Sequence, residues 1–272
     1  MLGQYLIVFR EVLEAALITS IVLAYLARTG RSGLSRYVWY GVFSATMASV
    51  VLGGSIWLAY GVLAKPVQVL FEGVAALVAV VVLSSMIYWM ATKGRKFKAE
   101  MERQVEEITA RGAALGLVSF AFIAVFREGL ETVLFLMPFL LTDPIGTVAG
   151  LLLGAATSVG LACAIFILGM KVNMRRFFYF TSILLVLLAG GLAGYGVHEL
   201  MEYTGSIPWG WLGQRAYNLG LPEGNLMHHK GAVGAIFAVM FGYTVSAEWA
   251  RVVIHLTYLA VSLPLVIRAY KK

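Results

Sequence analysis

Long uncharged runs, separated by short charged clusters, dominate the chain. Tyr37 to Ala64, Gly73 to Thr92, Pro144 to Met170 and Phe177 to Val197 hold no charged residue. A helix rises about 1.5 Å per residue, so roughly 20 apolar residues cross the hydrocarbon core of a bilayer. Each run is long enough. The full pattern predicts an all-α polytopic membrane protein with seven transmembrane helices, over 3–28, 37–62, 67–92, 113–141, 145–170, 177–203 and 247–268. Ala232 to Tyr243 is apolar but too short to cross, and reads as an interfacial or re-entrant helix.

Composition agrees with the pattern. Hydrophobic residues make up 60% of the 272 positions and charged residues 13%, with a mean hydropathy of +0.85. A soluble domain carries about a quarter charged residues, so an ordinary globular enzyme is excluded. No Gly-x-x-x-x-Gly-Lys-Ser/Thr segment occurs, and no hydrophilic stretch is long enough for a nucleotide-binding domain. Transport fuelled by ATP on this chain is therefore excluded. The lone Cys163 precludes an intrachain disulfide. The first residues lack the basic start of a secretory signal, so Leu2 onward reads as a retained helix.

Basic residues set the orientation. Arg28, Arg31 and Arg36 follow the first span; Lys93, Arg95, Lys96, Lys98, Arg103 and Arg111 follow the third; Lys171, Arg175 and Arg176 follow the fifth; Arg268, Lys271 and Lys272 close the chain. Only Lys65, Arg215 and Lys230 lie in the opposite loops. Positive residues stay in the cytoplasm, which predicts a multi-pass cell-membrane protein with its N-terminus outside and its C-terminus cytoplasmic. The net charge of +7 is then a topology signal, and no nucleic-acid partner is needed to explain it. The stretch 93–112 reads as a solvated cytoplasmic helical loop. Trp39, Trp57, Trp89 and Trp249 fall near span ends, where they anchor to the interface. Gly146, Gly150, Gly154 and Ser158, and again Gly190 and Gly194, recur every four residues as helix-packing positions.

An internal repeat carries the chemistry. Phe9-Arg10-Glu11-Val12-Leu13-Glu14 in the first span matches Phe126-Arg127-Glu128-Gly129-Leu130-Glu131 in the fourth. With three spans per half, the second copy enters the bilayer from the other side, giving two inverted three-helix repeats plus a seventh helix. The chain then forms a single membrane-embedded domain: repeat one 1–92, cytoplasmic loop 93–112, repeat two 113–203, outer loop and short helix 204–246, last helix 247–272.

On a helix the two glutamates of each copy lie about 60° apart, and the arginine is one turn from the second, so all three share a face. Each charge at bilayer depth costs a few kcal/mol, so such triplets face protein or water and point to function. Two carboxylates accompany each arginine, leaving negative charge for a cation or protons. Glu72 near the outer end of the third span, with Glu199 and Glu202 near the outer end of the sixth, completes a set of seven carboxylates in the outer half of the bilayer. An outward-opening acidic cavity that captures cations is expected. Carboxylate oxygens suit hard cations, among them ferric iron, manganese, magnesium and calcium. His198 beside Glu199 reads as a hydrogen-bonding or interfacial residue that tolerates a transition metal.

At these residues the chain resembles the oxidase-dependent iron transporter family, which includes the fungal high-affinity iron permease and the bacterial EfeU-type permease. The family signature Arg-Glu-Gly-Leu-Glu is matched in full at Arg127 to Glu131, and with Val12 in place of glycine at Arg10 to Glu14. Phe71-Glu72-Gly73, Gly196-Val197-His198-Glu199-Leu200 and Phe241-Gly242-Tyr243-Thr244 extend the resemblance along the chain. The resemblance implies an iron permease rather than an enzyme, with iron as transported substrate and no cofactor. It implies iron binding by the glutamates of both motifs, while depth along the spans puts Glu72, Glu199 and Glu202 first on the path. Glu11, Glu14, Glu128 and Glu131 bind it next, and Arg10 and Arg127 pair with these carboxylates when they are empty. It also implies that an oxidase or iron-delivery partner outside the cell would be a separate protein. Val12 adds bulk where glycine allows close helix approach.

Other readings follow from the same residues. The architecture would equally serve another metal cation, such as lead or manganese. A membrane di-metal enzyme would use Glu-x-x-His on facing helices, and no glutamate here has histidine three residues later. His198-Glu199-x-x-Glu202 lacks the second histidine of the zinc-protease pattern. His228 and His229 read as loop residues or as metal collectors, and Glu248 as a helix N-terminal carboxylate favoured by the dipole.

Overall fold

The computed structural model describes residues 1–93, 97–110, 114–166, 174–205, 207–222, 224–228 and 231–271. Arg95, Lys96, Arg111, Lys171, His229, Lys230 and Lys272, and positions 167–170 of the fifth expected span, lie outside the described residues.

Helices occupy most of the chain: α1 (Leu2–Arg28), α2 (Ser35–Gly61), α3 (Lys65–Lys93), α4 (Phe97–Ala110), α5 (Ala114–Thr142), α6 (Pro144–Phe166), α7 (Met174–Thr204), α8 (Ala232–Phe241) and α9 (Trp249–Lys271). Among the described residues five helical stretches are long and apolar enough to cross a membrane: Ser32–Gly61, Lys65–Thr92, Pro144–Phe166, Arg175–Thr204 and Trp249–Lys271. The molecule is therefore an all-α, multi-pass membrane protein. The 27-residue α1 and 29-residue α5 carry the charged triplets, which interrupt their apolar runs.

Local signals set several helix ends. Gly30 turns the chain out of α1 at φ 71°, and Arg31 N–H closes the end on Leu26 O at 2.8 Å. At the start of α6, Pro144 takes the first helical position and Asp143 Oδ1 accepts the Gly146 N–H at 2.9 Å.

Small residues decide which helices pair. Gly150 and Gly154 of α6 lie against Gln4, Tyr5, Val8 and Phe9 of α1, and Ser158 Oγ donates to Phe9 O at 2.5 Å. Gly41 of α2 meets Val118, Ala121 and Phe122 of α5. Gly73 of α3 and Gly196 of α7 face each other backbone to backbone, and Gly190 and Gly194 of α7 receive His255, Leu259 and Arg251 of α9. Gly146 belongs to the Asp143 cap rather than to this packing. A core of Ile7, Leu83, Ile87, Phe135, Leu185 and Ala189 joins α1, α3, α5 and α7.

Two expectations are corrected. The charged connector is not fully solvated: Val105 of α4 is completely buried against Val22, Leu26 and Leu117. Thr109 receives a hydrogen bond from Arg31, and Glu102 pairs with Arg28 at 3.1 Å. Val105, Ile108 and Thr109 share one face of α4, while Arg103 and Glu107 lie on the exposed one. The loop after α7 also contains strand. Arg215–Asn218 (β1) pairs antiparallel with Ser246–Glu248 (β2), in the register Arg215 to Glu248 and Asn218 to Ser246. Strands of four and three residues are too short for an alternating pattern to reveal.

Candidate functional site

The nine candidate residues fall into two clusters rather than one cavity. In the first, α1 and α5 bring their charged faces together. The carboxylate oxygens of Glu11, Glu128 and Glu131 all lie within 4.8 Å of one another, and Glu14 joins Glu131 electrostatically. Glu11 is 1% exposed, Glu128 4% and Arg10 2%. Oε2 of Glu11, Glu128 and Glu131 has no hydrogen-bond partner among the described residues.

The two arginines are not equivalent. Arg10 lies 2.7 Å from Glu11 Oε1 and 2.7 Å from Glu14 Oε1, and its Nη1 also meets Met86 Sδ at 3.0 Å. The contact to Glu14 is off-axis, an ion pair rather than a hydrogen bond. Arg127 binds Glu131 at 2.9 Å but is half exposed. Its guanidinium lies over the Trp89 ring, 5.5 Å from the centroid. Trp89 is therefore more than an interfacial anchor.

Four carboxylates against two guanidiniums leave a surplus of negative charge that is buried. An unpaired carboxylate in such a place is unstable unless a proton or cation joins it. A cavity of about 960 Å³ adjoins the cluster between α1, α2, α5 and α6. Apart from Glu11, Glu128 and a few hydroxyls such as Thr19 and Ser49, its lining is apolar, so it is not the acidic vestibule that was expected.

Gly129 in the second triplet admits α2, because a Cβ there would strike Ser49. Val12 holds the same place in the first triplet. It packs against the main core and borders the cavity, so its bulk displaces no helix.

The second cluster forms where α3 meets the last turns of α7. The Gly73–Gly196 contact presses the two backbones together, which places Glu72 beside Tyr195. Tyr195 donates to Glu72 Oε2 at 2.6 Å, and Tyr60 of α2 donates to Oε1. The ligand atoms of His198, Glu199 and Glu202 lie within 4.8 Å of one another, and Glu199 senses Glu72, Tyr195 and Arg251. His198 Nδ1 sits 3.2 Å from Glu248 Oε2. Glu248 stands in β2 and engages this histidine, a role beyond capping α9. Arg251 is partly buried, its Nε lacks a hydrogen-bond partner among the described residues, and it interacts with Glu248 and Glu199.

Tyr60, Tyr195 and Arg251 escape a reading of the sequence. Single tyrosines inside apolar helices look like core or interface residues. Arg251 did carry a signal, as a charge two residues into an apolar span. His228 is 5% exposed, inside a turn in which its N–H binds Asn225 O at 3.0 Å. It is no exposed collector of metal.

Comparison with known proteins completes the picture. Residues 1–268 match the family model described as the iron permease FTR1 family. An uncharacterised protein of Archaeoglobus fulgidus is 44% identical over 271 residues, covering 99% of this chain and 96% of its own. The ferrous iron permease EfeU of Yersinia pestis is 33% identical over 262 residues, covering 95% and 90%. EfeU of Escherichia coli O6:H1 is likewise 33% identical over 262 residues, covering 95% and 92%. No solved structure gives a significant match.

Proposed function

This chain belongs to the iron permease FTR1 family, and we propose that it moves iron ions from outside into the cytoplasm by way of the two acidic clusters. The observation that carries this reading is the convergence of Glu11, Glu128 and Glu131, three buried carboxylates each with an unpartnered oxygen, at the crossing of the two triplets. An arrangement of that kind calls for a proton or a cation, and a permeating metal ion can take the proton's place.

Iron arriving from outside exchanges water for Glu72, Glu199 and Glu202, with His198 beside them. It then passes to Glu11, Glu14, Glu128 and Glu131. Arg10 neutralises Glu11 and Glu14 when the site is empty, and Arg127 does the same for Glu131. Arg127 is the more accessible partner, because half of its side chain is exposed where it meets Trp89 and Glu131.

The proposed architecture is seven spans in one membrane domain: α1–α3 and α5–α7 as inverted repeats, and α9 as the last helix. The pairing of helices supports it. An inversion that exchanges the halves turns the α1–α6 pair into the α5–α2 pair and returns α3–α7 to itself, and these are the pairs that glycines bring close. Rocking of one repeat against the other would open the carboxylates to each side in turn. A separate extracytoplasmic protein would oxidise or deliver the iron.

The test is uptake of labelled iron, ferrous and ferric separately, by proteoliposomes of the purified chain. Wild-type flux that Glu14→Gln/Glu131→Gln abolishes is the expected result. Equal flux at equal membrane abundance would remove the triplets from the path. Manganese or lead that competes better than iron would reassign the cargo.

A further inference from the structure

Glu72 is held by two phenols that come from two other helices. Tyr60 of α2 donates to one carboxylate oxygen and Tyr195 of α7 to the other, the latter at 2.6 Å. Tyr195 also interacts with Glu199, one turn further along α7. His198 presents an imidazole to the same cluster. Its Nδ1 is engaged by Glu248 at 3.2 Å, which leaves Nε2 for a ligand. A carboxylate on the far ring nitrogen is the usual way in which a metal-binding histidine is oriented. The cluster is thus more than acidic: it assembles phenol, imidazole and carboxylate from α2, α3, α7 and β2.

We infer that Tyr195, with Tyr60 in support, is a ligand and specificity-determining residue of this cluster, binding ferric iron through its phenol oxygen and so selecting ferric over ferrous iron. The inference rests on the reading that this cluster meets iron before the triplets do. Anionic oxygen donors match the hardest cation offered to them, and a tyrosine oxygen is an established protein ligand for iron. In the binding step the Tyr195 O–H bond breaks and an O–Fe bond forms. The proton passes to the Glu72 oxygen that already accepts it, and from there to water. Iron keeps its oxidation state throughout. A free phenol holds its proton up to about pH 10, so only a strong Lewis acid displaces it near neutrality. Ferrous iron is the weaker acid, and it is left with His198 and the carboxylates.

Full-length protein in nanodiscs, titrated with ferric citrate and separately with ferrous iron under anaerobic conditions, tests the assignment. Ferric iron on the wild type is expected to produce a phenolate-to-iron charge-transfer band in the visible, and ferrous iron none. Tyr195→Phe should abolish the band and weaken ferric binding at least tenfold while ferrous binding stays within twofold. Tyr203→Phe, an exposed neighbour outside the cluster, should leave the band in place. Resonance Raman spectra of wild-type protein grown with ring-deuterated tyrosine read the phenolate with no substitution, should Tyr195→Phe fail to fold. No band at ferric saturation, or a band that survives in Tyr60→Phe/Tyr195→Phe, would overturn the inference. Flux sensitive to Glu14→Gln/Glu131→Gln without any band sinks the tyrosine role alone. A band with flux indifferent to that pair sinks the triplet path alone.

Discussion

A Cβ on Gly129 would lie 2.0 Å from Oγ of Ser49, so the second charged triplet is the place where α2 presses against α5. The first triplet has no such neighbour at Val12. Making the two copies alike should therefore have unequal effects. Gly129→Val forces α2 away from α5, and overpacking of this kind costs about 1–3 kcal/mol. Val12→Gly costs about 0.5 kcal/mol of helix propensity and a partly buried core contact, and leaves the charges in place. Thermal unfolding in detergent should show a clear drop for Gly129→Val, with iron uptake retained by Val12→Gly. Equal tolerance at both positions would mean that the Ser49 contact does not set helix spacing.

The arginines should separate stability from function. Arg10 is 2% exposed and lies against both of its carboxylates. Its loss strands buried charge, and breaking a buried pair from one side costs about 3–5 kcal/mol. Arg10→Gln should then fail to accumulate in membranes. Arg127→Gln, at the half-exposed partner, should accumulate normally, and its defect should appear in flux. Quantitative blotting alongside uptake distinguishes the two; equal abundance of both variants would show that Arg10 is not structural.

The charged triplets were legible because their cost inside an apolar helix makes them conspicuous, and their spacing alone places three groups on one face. What they meet was not legible. That Glu11 joins Glu128 and Glu131 depends on α1 and α5 meeting at the motif, a tertiary fact that no local pattern encodes. Depth along the spans had put all seven carboxylates in one cavity. They divide because Glu72 is captured by Tyr60 and Tyr195, side chains that ordinary apolar patterning hides. In α4 the charges dominate the composition, and the buried stripe of Val105 and Thr109 is only a few residues wide.

Glu248 and His198 form a contact that neither element alone could make, since strand β2 carries the carboxylate and α7 the ring. Loss of such an outer carboxylate lowers metal affinity about 10–100-fold at a histidine site. Glu248→Gln should therefore weaken ferrous iron binding by that factor in equilibrium dialysis, with the fold intact. Unchanged affinity would reduce His198 to a structural hydrogen bond between α7 and the sheet.

Orientation decides which way the proposed route runs. The second cluster sits at the end of α7, close to the segment Ile207–Gly213 and the small sheet. The charged α4 packs instead against the far end of α1, where Arg28 pairs with Glu102 at 3.1 Å. Two exposed positions report on these places: Trp211, 61% exposed, and Glu107, whose side chain is 59% exposed. Cys163 is the only cysteine in the sequence, so Cys163→Ser provides a background for single-cysteine labelling. A membrane-impermeant maleimide should label Trp211→Cys in intact cells, and Glu107→Cys only after permeabilisation. That result puts the tyrosine-bearing cluster outside, where a capture site for uptake has to be. The opposite result would turn His198, Glu199 and Glu202 towards the cytoplasm, and the same carboxylates would then release cargo inward or load it for export.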